Sequence, residues 1–202
     1  MQQDRRNRPS IEIVPDAPTD PDAFLRWSAK RPREEGRYEL SRGVVTRTMI
    51  NVTRHHNQIC TNLILELGRC IDLESYDIGS ADFGIRTPAG VRGPDLFVLP
   101  IGTDGKALSA DNPVFLAEVL SPSSESIDFN DKREEYGAIP SLQTYVIFSQ
   151  EEPRAWVFAR QPSGRWPKRA KVVEGRQAAI RLAGLAATLV MAAIYRGIPD
   201  PA

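Results

Sequence analysis

Two short apolar runs constrain this chain more than any other feature: PDLFVLP at 94–100 and FLAEVLSPSS at 115–124. Each interrupts strand-forming residues with one acid, Asp95 in the first and Glu118 in the second. Leu, Phe and Val in runs of this length, bounded by Pro and Ser, read as short strands. A carboxylate inside such a run needs a partner, because burying an unpaired charge costs several kcal/mol. Either the two strand ends lie side by side and present both acids to one divalent cation, or Asp95 merely opens a strand after Pro94 and Glu118 faces solvent from an edge. Mg²⁺ suits the first reading, since it takes oxygen ligands and keeps only one or two protein carboxylates in its shell.

The rest of the chain places these runs in a mixed α/β layout. Residues 1–18 are rich in Arg, Pro and Asp with a brief Ile-Glu-Ile-Val break, so they read as a disordered lead, and order is expected to begin near Asp20. Residues 19–202 then form one domain. In DPDAFLRWSAK, Asp20 is an N-cap and Pro21 the first helical residue. RYELSRGVVTRTMI (37–50) reads as a hairpin, and TRHHNQICTNLILELGRCIDL (53–73) has apolar residues at helical spacing. YDIGS, FGIRTP, PDLFVLP and VFLAEVL are four strands, and DFNDKREEYGA (128–138) is a helix stopped by Gly137. LQTYVIFS and RAWVFARQPSGRWPKRAKVVEG add strands, the latter pair hinged at Ser163-Gly164, and 178–196 reads as a short strand and a closing helix.

Charge and cysteine usage exclude several classes. The 26 basic residues balance 26 acidic ones, so no global positive field holds the chain to nucleic acid and any such contact is local. The longest apolar stretch, 182–195, is too short to span a bilayer, and the N-terminal charges are followed by no apolar signal core; the chain reads as cytoplasmic, with no membrane contact. Cys60 and Cys70 fall in one helix, about 15 Å apart along its axis, too far for a bridge. They read as reduced core cysteines.

Asp128, Lys132 and Tyr136 recur every four residues and therefore share a helix stripe directly after the Glu118 strand. Their bland explanation is a surface ion pair, Asp128 with Lys132, beside a packed tyrosine. His56 lies on the same helix stripe as positions 59, 60, 63 and 67, whereas His55 turns away; it is either a half-buried structural histidine or part of the site. Tyr136 is likewise either a packing residue with a satisfied hydroxyl or a member of the site.

YELSRG, HHNQICTNLILEL, PDLFVLP, FLAEVLSPSSESIDFNDKREEYGAIPSLQTYVIF and AAIYRGI, in this order over about residues 22–198, resemble the Uma-type restriction endonuclease family within the PD-(D/E)XK nuclease superfamily. The resemblance implies a restriction-endonuclease-like fold, a mixed central sheet flanked by helices, that hydrolyses phosphodiester bonds in DNA, commonly as a homodimer. It also implies that Asp95 and Glu118 ligate Mg²⁺ or Mn²⁺, with the Val119 carbonyl as a further ligand. The superfamily's lysine, two positions after the second acid, is replaced here by Leu120, and the resemblance moves that role to Lys132. Glu39 in YELSRG matches a characteristic acid of the family and enters the catalytic set, its alternative being a solvent-facing strand glutamate, with Glu66 of the first core helix as its lower-ranked rival. For phosphate contacts the candidates are Arg86, Arg92, Arg133 and the basic run at 165–171, whose alternative is a solvated hairpin. Leu120, and SLQTY where the family often has an acid before the tyrosine, also leave room for a module that keeps the scaffold and binds nucleic acid or protein without turnover.

Overall fold

The computed structural model describes residues 11–48, 52–120 and 128–199. Strand β1 (Ile11–Ile13) precedes helix α1 (Pro21–Ser28), a 3-10 turn (Arg33–Glu35) and the hairpin of β2 (Arg37–Ser41) and β3 (Val44–Thr48). Helix α2 (Arg54–Cys70) leads to β4 (Tyr76–Ser80), β5 (Gly84–Thr87), β6 (Gly90–Arg92), β7 (Leu96–Pro100), β8 (Ser109–Ala110) and β9 (Phe115–Val119). A π-helical turn (Asp128–Lys132) runs into α3 (Arg133–Gly137). Strands β10 (Thr144–Phe148), β11 (Arg154–Ala159), β12 (Lys171–Glu174), β13 (Ala179–Leu182) and β14 (Ala187–Val190) and helix α4 (Met191–Ile194) follow.

The central sheet has the order β12-β11-β10-β9-β7-β4. Strands β9 and β10 are parallel and the other neighbours antiparallel, so the sheet is mixed. Its inner strands β9 and β10 are buried at every position, and apolar at all but Glu118 and Thr144, because both faces are covered. Leu96, Val98, Phe115, Ala117, Val146 and Phe148 pack on one face with Ile59, Leu63 and Leu67 of α2 and Met191 and Ile194 of α4. Phe97, Leu99, Leu116, Tyr145 and Ile147 pack on the other face with Tyr136 and Ile139. This alternation follows from the two-residue period of a strand, and each large side chain so buried contributes about 1.5–3 kcal/mol.

A second sheet, β1-β3-β2-β6-β5-β8, is covered by α1. Asp20 caps that helix by accepting a hydrogen bond from the Ala23 amide at 2.9 Å, and Phe24 and Leu25 pack onto Leu40, Val45 and Val91. The β2–β3 turn uses left-handed Arg42 and Gly43, at φ 49° and 76°, which matches the twist of a two-residue hairpin.

Several elements depart from the sequence expectation. Ile11–Ile13, assigned to the lead without structure, pairs with β3 in the register Ile11 to Thr48 and Ile13 to Thr46, so structure begins before Asp20. Ile11 and Ile13 are exposed; main-chain hydrogen bonding to an open edge holds the strand without burial. The stretch 187–190, taken for part of the closing helix, is β14, paired to β13 through a turn with Gly184 at φ 84° and Ala186 at φ 49°. Its alternating burial is a strand period that an alanine-rich composition hides. β6 and β8, three and two residues long, are below the length at which periodicity is readable. Ser163-Gly164 does turn the chain between antiparallel β11 and β12, although the strands themselves end at Ala159 and restart at Lys171. Residues 49–50 of the hairpin and the exit after Glu118 at 121–127 lie outside the described residues. Among the described residues, no helix is long and apolar enough to cross a membrane.

Candidate active site

Strands β7 and β9 are antiparallel, with Leu96 opposite Ala117. Continued one step, that register sets Asp95 across from Glu118, at the end of the strand pair. Asp95 is 9% exposed and Glu118 3%. Neither carboxylate faces open solvent from an edge, and each is compensated.

Oδ2 of Asp95 accepts the Val119 amide at 2.9 Å and faces His56 Nε2 at 3.1 Å, while Arg37 Nη1 reaches Oδ1 at 3.4 Å. Burial opposes ionisation of Asp95, but the His56 hydrogen bond, the Arg37 charge and the Val119 amide outweigh it and hold the carboxyl well below the usual range. Glu118 Oε1 accepts from Lys132 Nζ at 2.7 Å and from the Tyr136 hydroxyl at 3.2 Å. The π-helical turn delivers Lys132, and α3 brings Tyr136 round four residues later on the same side. Burial and the neighbouring Glu118 charge push the Tyr136 phenol well above its ordinary value, so it stays a donor.

Glu39 ties β2 to this cluster. Its Oε2 accepts from Arg92 Nη1 at 2.9 Å and its Oε1 from the Gly93 amide at 3.0 Å, with Lys132 Nζ 3.7 Å away. Lys132 thus sits between Glu118 and Glu39. Burial works against the charged form of Glu39, yet Lys132, Arg92 and the Gly93 amide bring its pKa down to about 2. Arg92 also holds Glu135 in a two-pronged pair at 2.7 and 2.8 Å, and Ser41 Oγ donates to Glu135 at 2.6 Å.

Of the sequence candidates, Asp95, Glu118, Lys132, Glu39, His56 and Tyr136 therefore come together. Asp128 opens the π-helical turn, and its side chain lies outside what the structure describes. Glu66 is ten residues along α2 from His56, about 15 Å by helical rise, and stands instead beside Cys70. Leu120, at the superfamily's lysine position, packs into the apolar cluster of Tyr136 and Ile147. Each arginine offered for phosphate contact has a protein partner. Arg92 is 5% exposed and committed to internal carboxylates, because a guanidinium with two buried acids beside it gains more from them than from solvent. Arg86 bonds Asp22 and Ser109, joining α1 to β5 and β8, and Arg133 pairs with Glu134. The run 165–171 is a mostly exposed loop in which Trp166 packs beneath Arg160.

The sequence reading missed Arg37 and Glu135; Cys60 packs against the core as read, but its thiol also borders the cluster. A signal for Arg37 existed: Arg37, Glu39 and Ser41 alternate along β2 and all face the cluster, while Tyr38 and Leu40 turn to α1. Glu135, three residues after Lys132, shares its helix face. Cys60 Sγ lies 3.7 Å from His56 Nδ1.

The oxygen-rich end of this cluster fits a hard divalent cation. Oδ2 of Asp95 already has two donors, whereas Oδ1 has one long contact and retains accepting capacity. Among the described residues, four carboxylates, Asp95, Glu118, Glu39 and Glu135, stand against three permanent cations, Arg37, Arg92 and Lys132. A cleft of about 220 Å³ lined by Arg31, Arg33, Arg37, Phe83 and Gly93 reaches the Arg37 side of the cluster.

Comparison with known proteins adds family and fold. Residues 21–191 match the model of the Uma2 family, described as "Putative restriction endonuclease". An uncharacterized Synechocystis protein, slr1290, is 27% identical over 196 residues, covering 93% of this chain and 98% of its own. A second Synechocystis protein, sll1609, is 34% identical over 101 residues, 48% of this chain, and the match spans 57% of that relative. The crystal structure of a "putative nuclease belonging to DUF820" from Anabaena variabilis superposes with a TM-score of 0.64 at 14% identity, over 85% of this chain and 96% of that one.

Proposed function

The chain belongs to the Uma2 family, and from that premise we propose that it is a metal-dependent endonuclease that hydrolyses phosphodiester bonds in DNA. The observation that carries the reading is Lys132 Nζ at 2.7 Å from Glu118, an ammonium brought to the second acid from a helix although the strand offers only Leu120. Asp95 and Glu118, with the Val119 carbonyl, would hold Mg²⁺ or Mn²⁺. When bound, such an ion polarises a phosphoryl oxygen and lowers the pKa of an attacking water.

The chain's own groups do the rest. Lys132 meets the negative charge that develops on the scissile phosphate. Glu39 holds the lysine in place from its far side, and Tyr136 fixes the rotamer of Glu118. His56 and the Val119 amide orient Asp95 and keep it ionised. The arginine-lined cleft beside Arg37 gives the DNA backbone an approach, with charge supplied locally. In this proposal residues 19–202 act as one nuclease domain inside the cell, as a homodimer that addresses both strands.

The test is cleavage of plasmid and linear DNA with Mg²⁺ or Mn²⁺ by wild type, Asp95→Asn, Glu118→Gln and Lys132→Gln, each checked for folding by circular dichroism. Wild-type cleavage should fall at least about 10²-fold in each folded variant. Cleavage unchanged in Asp95→Asn refutes the assignment. DNA binding by all four proteins without any cutting would favour the non-catalytic module.

A further inference from the structure

Cys60 is used by nothing in the mechanism above, yet it faces the residue that orients Asp95. His56 and Cys60 stand four residues apart on α2, one turn above the other. A ring nitrogen of His56, Cys60 Sγ and a carboxylate oxygen of Asp95 all lie within 4.8 Å of one another. Cys60 is not in a disulfide. We propose that these three side chains form a second metal site, one that takes a thiophilic divalent cation of the Zn²⁺ class rather than the hard cation of the catalytic acids.

The donor set argues for the ion class. Sulfur, imidazole nitrogen and one carboxylate oxygen are Zn²⁺ ligands, whereas thiolate is a poor donor to Mg²⁺. Tetrahedral Zn²⁺ with bonds of about 2.0–2.3 Å sets its ligand atoms roughly 3.3–3.7 Å apart. The 3.7 Å from Sγ to Nδ1 is already at that spacing, and the 3.1 Å from Nε2 to Asp95 Oδ2 is a hydrogen bond that would open slightly to admit the ion. They use different ring nitrogens, so capture requires side-chain rotation that brings Sγ and the carboxylate, now within 4.8 Å, onto one nitrogen's side of the ion. Three protein ligands leave a fourth position for water, the pattern of an open zinc site. Coordination sends the thiol proton to solvent, a step that burial of Cys60 resists and the Zn–S bond offsets.

The site shares Asp95 with the catalytic acids. Its occupation would withdraw that carboxylate from its place opposite Glu118, making Zn²⁺ an inhibitor of Mg²⁺-supported cleavage. This consequence rests on the nuclease reading; the site itself does not.

The test separates the two. The chain has two cysteines, so in full-length Cys70→Ser protein any metal-bound thiolate is Cys60. Titration of that protein with Co²⁺ should raise a near-ultraviolet sulfur-to-cobalt charge-transfer band that saturates at one equivalent and is bleached by Zn²⁺. X-ray absorption of the Zn²⁺-loaded form should show one sulfur at about 2.3 Å. The Cys60→Ser variant should lose the band, and its Zn²⁺ affinity should fall by more than the ~10–100-fold that loss of a supporting outer-shell partner costs. Lack of the band at one equivalent in Cys70→Ser protein, a shell of nitrogen and oxygen alone, or a band surviving in Cys60→Ser overturns the proposal. Should Cys60→Ser fail to fold, the Cys70→Ser measurements decide by themselves. A protein that never cuts DNA leaves every one of these readouts unaltered.

Discussion

Replacing Glu39 by glutamine should remove stability that depends on pH in a defined window. Burial by itself disfavours the Glu39 carboxylate, but Lys132, Arg92 and the Gly93 amide bring its pKa from 4.5 down to about 2. The side chain is 14% exposed, so solvent screens these charges little. At about 1.4 kcal/mol for each tenfold change in proton affinity, the depression corresponds to about 3 kcal/mol. A carboxyl whose folded pKa lies below its unfolded value contributes fully above the unfolded value. The contribution is therefore complete above 4.5 and drains away as pH falls toward 2. Glutamine keeps the shape and an acceptor for Gly93 but cannot ionise. Urea unfolding of wild type and Glu39→Gln between pH 7 and pH 2 isolates the effect, since Asp95, also depressed, is common to both proteins. At neutral pH the midpoints should differ by roughly 1–3 M urea for a slope of about 1–3 kcal/mol per molar, and the gap should close toward pH 2. A gap that stays constant across that range would refute the electrostatic account of the cluster.

Three further substitutions bear on the scaffold. Arg92→Met should cost about 3–5 kcal/mol in urea unfolding, because it leaves Glu135 buried without its guanidinium; Arg42→Ala, whose partners Asp131 and Glu134 are exposed, should cost under about 1 kcal/mol in the same assay. Gly90→Ala should cost more than the ~1 kcal/mol of an ordinary strand substitution, since a Cβ there would sit 2.2 Å from the Leu40 carbonyl oxygen at φ 150°, and hydrogen exchange of the Arg42 amide, which donates to the Ala89 carbonyl, should rise as β6 separates from β2.

What could be read from the residues alone was whatever depends on short-range periodicity. The cap at Asp20, the β2–β3 hairpin, α2, the two acid-bearing strands and the stripe of Lys132 and Tyr136 follow from spacings of two or four and from turn chemistry, all local in the chain. The motif order also sufficed to identify the family. Local patterns could not tell which distant charges would meet. Arg92 carries the same side chain whether it lies on a surface or between Glu39 and Glu135, which come from elements 53 and 43 residues away. Arg37 reaches Asp95 across 58 residues of chain, and the approach of Cys60 to a carboxylate depends on how α2 lies on the sheet. The weak strands β6, β8 and β14 are strands because a neighbour supplies their hydrogen bonds, a circumstance no window of sequence contains. The acids inside the apolar strands announced that compensation was required, and only the packing of β2, α2 and the π-helical turn around their ends decided which cations provide it.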